Sequence, residues 1–355
     1  MKKTISIILM SVLLIGILAG CGGGGQPAGG DNEQAEGGEK AGSEIKIGLC
    51  LYKFDDTFIS TVRQAIEKDA AEKSKATGDK ITINAVDGQG QQATQNDQVD
   101  TFITQGYDII DVNMVDRTAA SVIIDKAKKA DIPIVFFNRE PVSEDMDKWD
   151  KLYYVGAKAE ESGTMQGSIA VEYWKNHPEA DKNGDGIMQY VMLEGEPGHQ
   201  DAILRTEYSI KAVEEAGIKT EKLANDTGNW QRAQGQEKMA AWLSAFGDNI
   251  EVVFANNDDM ALGAIEALKA AGYFQGDKYM PVIGVDATAP ALDALADGKL
   301  LGTVLNDAKG QGNAILEISY ALAKGKDPEL EGLTDGKYCW VPYQPVTKEN
   351  MDQFR

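Results

Sequence analysis

From Glu44 onward, apolar residues fall into two recurring patterns. Short, nearly unbroken apolar runs, EIKIGLCLY (44–52), ITINAV (81–86), YDIIDVNM (107–114) and IPIVFFN (132–138), predict β-strands. Between them, TFISTVRQAIEKDAAEK (57–73) and RTAASVIIDKAKKA (117–130) carry apolar residues at the spacing of one helix face. Strands this apolar, separated by helices, predict a parallel sheet covered on both faces. After LYYVGA (152–157) the pattern resumes. Helices over 161–174, 205–217 and 258–272 and strands over 188–193, 251–256 and 280–287 predict a second α/β unit of similar size. Periodicity alone therefore predicts two doubly wound units in tandem.

Ligands of such sheets bind beyond the carboxyl ends of the strands, so the residues that follow each strand are the candidates for chemistry. The first strand ends in Asp55, Asp56 and Phe58, and the fourth in Asn138. In the second unit, LEGEPGHQDAILR brings His199, Asp201 and Arg205, the last two four apart and so on one face of the following helix. Trp230, then Asn256, Asn257 and Asp258, then Asp286 and Asn306 follow. Any one Asp or Asn here also reads as a turn residue or helix N-cap. Together, planar carboxylate, amide and guanidinium groups with two aromatics suit a sugar. Its hydroxyls both donate and accept, and its C–H faces stack on rings.

A hydrolase is the rival reading. Asp55 and Asp56 are adjacent and point to opposite sides of an extended chain, which does not suit a catalytic carboxylate pair. No nucleophile elbow, Walker loop or HExxH motif occurs, and the two histidines, His177 and His199, are too few for a histidine-rich metal centre. The formal net charge of −21 argues against nucleic acid and anionic membrane surfaces as partners.

Composition changes the picture most at the N-terminus. MKKTISIILMSVLLIGILAGC joins two lysines, a short apolar run and small residues, the signature of a secretory signal peptide over residues 1–20. Leu18-Ala19-Gly20-Cys21 resembles a bacterial lipobox, which implies lipidation at Cys21 and a protein anchored to the cell membrane on its extracytoplasmic side rather than spanning it. Residues 21–43 are Gly-rich and polar and read as a flexible tether. Cys50 and Cys339 are expected to be free and buried.

The stretch DKNGDGIMQ (181–189) opens like an EF-hand calcium loop, with Asp181, Asn183 and Asp185 at the first three ligand positions and Gly186 at the turn. Met192 stands where the closing Glu belongs. On residues alone the stretch is either a metal loop lacking a ligand or a polar turn.

The motifs IGLCLYKFDDTF, QNDQVD, IPIVFFNREP, LEGEPGHQDAILRT, TEKLANDTGNW, IEVVFANNDDMALGAIEALKA, VIGVDA and GTVLNDA together resemble the bacterial galactose/glucose-binding receptors of the type I periplasmic-binding-protein class. That resemblance implies hydrogen bonds to a hexose from Asp56, Asn138, His199, Asp201, Arg205, Asn257, Asp286 and Asn306, with Phe58 and Trp230 stacking on the ring. It implies a hinge of three crossings, with lobes at 44–156 plus 307–340 and 157–306 plus 341–355, in place of a tandem arrangement. It also implies a structural calcium ion held by Asp181, Asn183, Asp185, the Ile187 carbonyl and Gln189, with a bidentate carboxylate from distant Glu251. The expected role is a monomeric, non-enzymatic receptor that delivers D-galactose or D-glucose to an ABC transporter permease. A sugar-sensing lipoprotein that presents hexose to a chemoreceptor or kinase is the alternative.

Overall fold

The computed structural model describes residues 42–330 and 332–355, so the signal peptide, Cys21 and the tether up to residue 41 lie outside the described residues. The first half alternates β1 (Glu44–Leu51), α1 (Thr57–Thr77), β2 (Lys80–Asp87), α2 (Gln92–Thr104), β3 (Ile109–Val112), α3 (Ala120–Ala130), β4 (Ile134–Phe137), a short α4 (Ser143–Met146) and β5 (Leu152–Gly156). Then come α5 (Ala159–Asn176), β6 (Ile187–Glu194), α6 (Gln200–Glu215), β7 (Lys219–Thr227), α7 (Arg232–Phe246), β8 (Val252–Ala255), α8 (Asp258–Ala270), β9 (Val282–Ile283), α9 (Ala289–Ala296) and β10 (Thr303–Leu305). The chain finishes with α10 (Ala308–Ala323), β11 (Leu333–Thr334), β12 (Tyr338–Trp340) and β13 (Gln344–Val346).

Two sheets result. The larger has seven strands in the order β11-β12-β5-β4-β3-β1-β2, all parallel except the β11–β12 pair. The second runs β7-β6-β8-β9 in parallel, and single bridges Ile283–Gly302 and Asp286–Leu305 continue it onto β10, which pairs antiparallel with β13. The chain leaves the first sheet after β5, returns through α10 after β10, and leaves again after β12. The tandem arrangement that periodicity predicts is therefore not found. Strand and helix periodicity carries no information about which sheet a late element joins.

Each sheet has a core on both faces. On the first, α1 and α10 cover Ile45, Ile47, Leu49, Val135 and Val155, while α2 and α3 cover Ile110, Val112, Ile134 and Phe136. On the second, α7, α8 and α9 cover Val191, Leu193, Val253 and Ala255, while α5 and α6 pack on Met188, Tyr190, Met192 and Phe254. Among the described residues Cys50 and Cys339 form no disulfide, and both are buried. In α1 the buried Phe58, Ile59, Val62, Ile66 and Ala70 keep helical spacing, Asp56 caps the start and Gly78 ends the helix in the left-handed region at φ 76°.

Two predicted strands span half or less of their apolar runs: β3 covers 109–112, and β9 only 282–283. Beyond β9, Asp286 adds only a single bridge to Leu305, and Asp286 and Ala287 take φ values of 122° and 53°. Conversely β7, a sheet edge with a largely exposed sequence KTEKLANDT, and α7 after it have no apolar run of the kind that predicts them.

Candidate functional site

The carboxyl ends of both sheets face one cavity. It is lined by Tyr52, Asp56, Phe58, Ile59, Asn138 and Arg139 from the first lobe and His199, Asp201, Arg205, Trp230, Asn257, Asp286 and Asn306 from the second lobe and its connections. Every residue singled out as a candidate sugar contact lines it. Asp55, beside Asp56, is exposed instead. Asn256 is wholly buried behind the cavity, where its side-chain oxygen accepts from Gly195 N at 2.9 Å.

Helix starts supply much of the wall. Asp56 caps α1, its Oδ1 accepting from Ile59 N at 2.8 Å and its Oδ2 from the Tyr52 hydroxyl at 2.5 Å. His199 caps α6, with Nδ1 accepting from Asp201 N at 3.1 Å. That bond assigns the ring proton to Nε2, which is left as a donor. Burial, reinforced by Arg139, Arg205 and Arg117, holds the His199 pKa well below its usual value, so the ring is neutral. Asn257 caps α8 through Oδ1 to Met260 N at 3.0 Å, and its amide donates to the Trp230 carbonyl at 3.2 Å. Each cap spends only part of its hydrogen-bonding capacity on its helix.

Arg205 is the fixed point of the second lobe. It is buried and donates to Asp201 Oδ2 at 3.0 Å, the Tyr343 hydroxyl at 2.9 Å, the Asn256 carbonyl at 2.9 Å and Ser162 Oγ at 3.3 Å. Burial pushes the Asp201 carboxyl upward, and the Arg205 charge opposes that shift. Asp286 is raised further, mainly by burial, with Arg205 again opposing. Asn306 donates to Asp286 Oδ1 at 3.2 Å and is itself fixed by Gln311 at 2.6 Å. Asn138 sits at φ 59°, and Asn113 donates to its Oδ1 at 3.1 Å, which turns the amide nitrogen into the open side of the pair.

The aromatic wall is also positioned. Trp230, at φ 65°, lies edge-on to His199 with centroids 5.0 Å apart. Gly195 permits this, because a Cβ there would lie 2.0 Å from the indole ring. Trp230 Nε1 and Arg139 Nε are buried donors without a partner among the described residues, the condition expected where a polar ligand completes a site.

Sequence reasoning missed Tyr52 and Arg139, which line the cavity, and Asn113, which acts on Asn138 from behind it. Arg139 stacks on Tyr52 at 3.6 Å and pairs with Glu196 of the other lobe at 2.8 Å. Lys53 approaches the same Glu196 at 3.6 Å, Gln200 donates to Glu140 at 2.9 Å, and Thr57 donates to Asp259. These contacts bring the lobes together around the cavity. Arg139 had a visible signal, its place directly after Asn138; Tyr52 and Asn113 sat inside predicted strands and carried none.

The 181–189 loop lies elsewhere in the second lobe. Asp181 accepts from the backbone N–H groups of Gly184, Asp185 and Gly186, and Asp185 from Ile187 N, the Asn183 amide and the Gln189 amide. Buried Glu251 meets the loop from the start of the β8 segment, accepting from Lys182 N at 2.7 Å and Gln189 N at 2.9 Å. Among the described residues no three His, Cys, Asp or Glu side chains form a metal-holding group. Any cation here would depend on amide and carbonyl oxygens as well as carboxylates. One such oxygen, Gln189 Oε1, is buried without a hydrogen-bond partner among the described residues. This donor set of hard oxygens fits calcium.

A family model described as a periplasmic binding protein domain matches residues 47–327. Over 317 residues the chain is 44% identical to the D-galactose/methyl-galactoside binding periplasmic protein of Haemophilus influenzae, covering 88% of this chain and 92% of that one. It is 30% identical over 326 residues to the ribose import binding protein of Bacillus subtilis, covering 92% and 95% of the two. Among solved structures, an ABC transporter solute binding protein from Bacillus halodurans with bound myo-inositol aligns with a TM-score of 0.73 and 32% identity, over 89% of this chain and 98% of that one.

Proposed function

Because the chain belongs to the periplasmic binding protein family, we propose that it captures D-galactose or D-glucose between its lobes and delivers the sugar to the permease of an ABC-type importer. The observation that carries this reading is the convergence of carboxylates, amides, the Arg139 and Arg205 guanidiniums and the aromatic rings of Tyr52, Phe58 and Trp230 on a single cavity built from both lobes.

In this reading the sugar ring lies between Phe58 and Trp230. Asp56 and Asn138 meet hydroxyls from the first lobe; His199, Asp201, Arg205, Asn257, Asp286 and Asn306 meet them from the second. A neutral His199 donates through Nε2, and the Asp201–Arg205 pair offers acceptor and donor side by side. An epimer that leaves one of these buried groups unpaired loses about 1–3 kcal/mol, which is the source of selectivity. Sugar that touches both walls only when they are closed favours the closed arrangement. The lobes are 44–156 with 307–340, and 157–306 with 341–355, and the three connections between them form the hinge.

Calcium in the 181–189 loop would be held by Asp181, Asn183, Asp185, the Ile187 carbonyl, Gln189 and Glu251. It would supply cross-linking charge that ties the loop to the strand after Ile250, away from the sugar. A lipid on Cys21 would anchor a monomeric receptor to the outer side of the cell membrane, with residues 22–43 as its leash. The test is a monosaccharide panel followed by thermal melting: D-galactose or D-glucose raises the melting temperature and is recovered unchanged. Stabilisation only by other sugars, or release of sugar from a glycoside, contradicts the proposal.

A further inference from the structure

Asp258 stands at the first position of α8, where an acidic residue ordinarily serves the helix dipole. Its surroundings do not fit that role alone. The side chain is 0% exposed, and its oxygens are spent on two other segments. Oδ1 accepts from Thr303 Oγ1 at 2.7 Å, and Oδ2 accepts from Thr288 N at 2.8 Å and Thr288 Oγ1 at 3.2 Å. Thr303 Oγ1 in turn accepts from Ala287 N at 3.2 Å. The backbone reinforces the connection, since Asp258 N donates to the Val285 carbonyl at 2.8 Å.

Those partners bracket a turn of the cavity wall that is held in an unfavourable conformation. Asp286 at φ 122° and Ala287 at φ 53° both lie where side chains other than glycine are rarely found. Such a conformation persists only when its surroundings over-determine it. The space beside the carboxylate is fitted to it: a Cβ on Gly284 would lie 2.3 Å from Asp258 Oδ1. Asp258 itself does not line the cavity, whereas Asp286 does.

We infer that Asp258 is a positioning residue of the binding site, which holds the 286–288 turn in its strained form so that the Asp286 carboxylate faces the ligand. The inference deepens the proposed hexose reading and rests on it. It assigns to a residue that never touches sugar a share of the affinity, exerted through Asp286. In Asp258→Asn the amide oxygen can still accept from Thr288 N, so this variant keeps part of the restraint that Asp258→Ala removes.

The test is a double-mutant cycle, with D-galactose and D-glucose titrated into wild type, Asp258→Ala, Asp286→Ala and the double variant, and melting temperatures recorded for each. Asp258→Ala is expected to weaken binding by about tenfold or more in the wild-type background and by less than about threefold once Asp286 is gone, because coupled sites are not additive. Asp258→Asn recovers part of the loss. The drop in melting temperature is the same in both backgrounds, which separates positioning from general destabilisation. An equal fold-loss of affinity in both backgrounds, or no loss at all, overturns the inference. If Asp258→Ala does not fold, Thr303→Val, which removes the hydroxyl between Asp258 and Ala287 N, replaces it in the same cycle with the same two outcomes. A wild type that binds neither sugar contradicts the hexose reading itself and takes this inference with it, whereas equal losses in a sugar-binding wild type overturn the inference alone.

Discussion

At the scale of single residues, capping and ligand contact prove to be compatible uses of one side chain. Asp56, His199 and Asn257 each satisfy a helix N–H and still line the cavity. A strand end followed by a helix start is where such a residue meets both demands. The cavity's other contribution is rigid area. Trp230→Ala removes one wall of the proposed stack, and binding of the preferred hexose should weaken by roughly tenfold or more, on the order of 1.5 kcal/mol for an aromatic contact. Unchanged affinity in a calorimetric titration would remove Trp230 from the site. Outside the cavity, Asp111 makes a prediction about stability. It is fully buried in β3, its Oδ1 accepts from Ser319 Oγ at 2.7 Å, and Oδ2 has no partner among the described residues. Burial pushes its carboxyl from 3.8 to about 8. The unfolded chain therefore releases this proton at lower pH than the folded one, and stability falls as pH rises from about 4 towards about 8. Asp111→Asn should gain on wild type in melting temperature across that window; a constant difference from pH 4.5 to pH 8 would show that Asp111 is not the group responsible.

At the scale of elements, what the sequence disclosed depended on burial. Strands enclosed on both faces, such as β4 and β8, announce themselves as apolar runs. Edge strand β7 does not, because half its positions meet water, and the helix after it was missed with it. The strand-end candidates were legible because parallel α/β topology puts every such end on one side of the sheet. Tyr52, Asn113 and Asp258 escaped as site-building residues because their contributions depend on contacts made across the fold. The 181–189 loop shows the same limit: its six-residue opening is visible, but the carboxylate that meets it comes from Glu251, and only the fold brings the two together. Calcium added to chelator-treated protein should raise the melting temperature, and Glu251→Gln should lose most of that rise. A full calcium response in the variant would contradict the proposed ligand set.

At the scale of the whole molecule, the chain passes three times between the two sheets, and the cavity lies between the sheets' carboxyl ends. Glu196 of the second lobe meets both Lys53 and Arg139 of the first. Arg139 stacks on Tyr52, whose hydroxyl donates to Asp56. Contacts that join the lobes thus run directly into a proposed sugar ligand. The central claim is that this cleft holds one hexose. Isothermal titration of the purified protein with D-galactose and with D-glucose tests it most directly: saturable heat with a stoichiometry near one for at least one of the two sugars is the predicted result, and no saturable heat with either would contradict it.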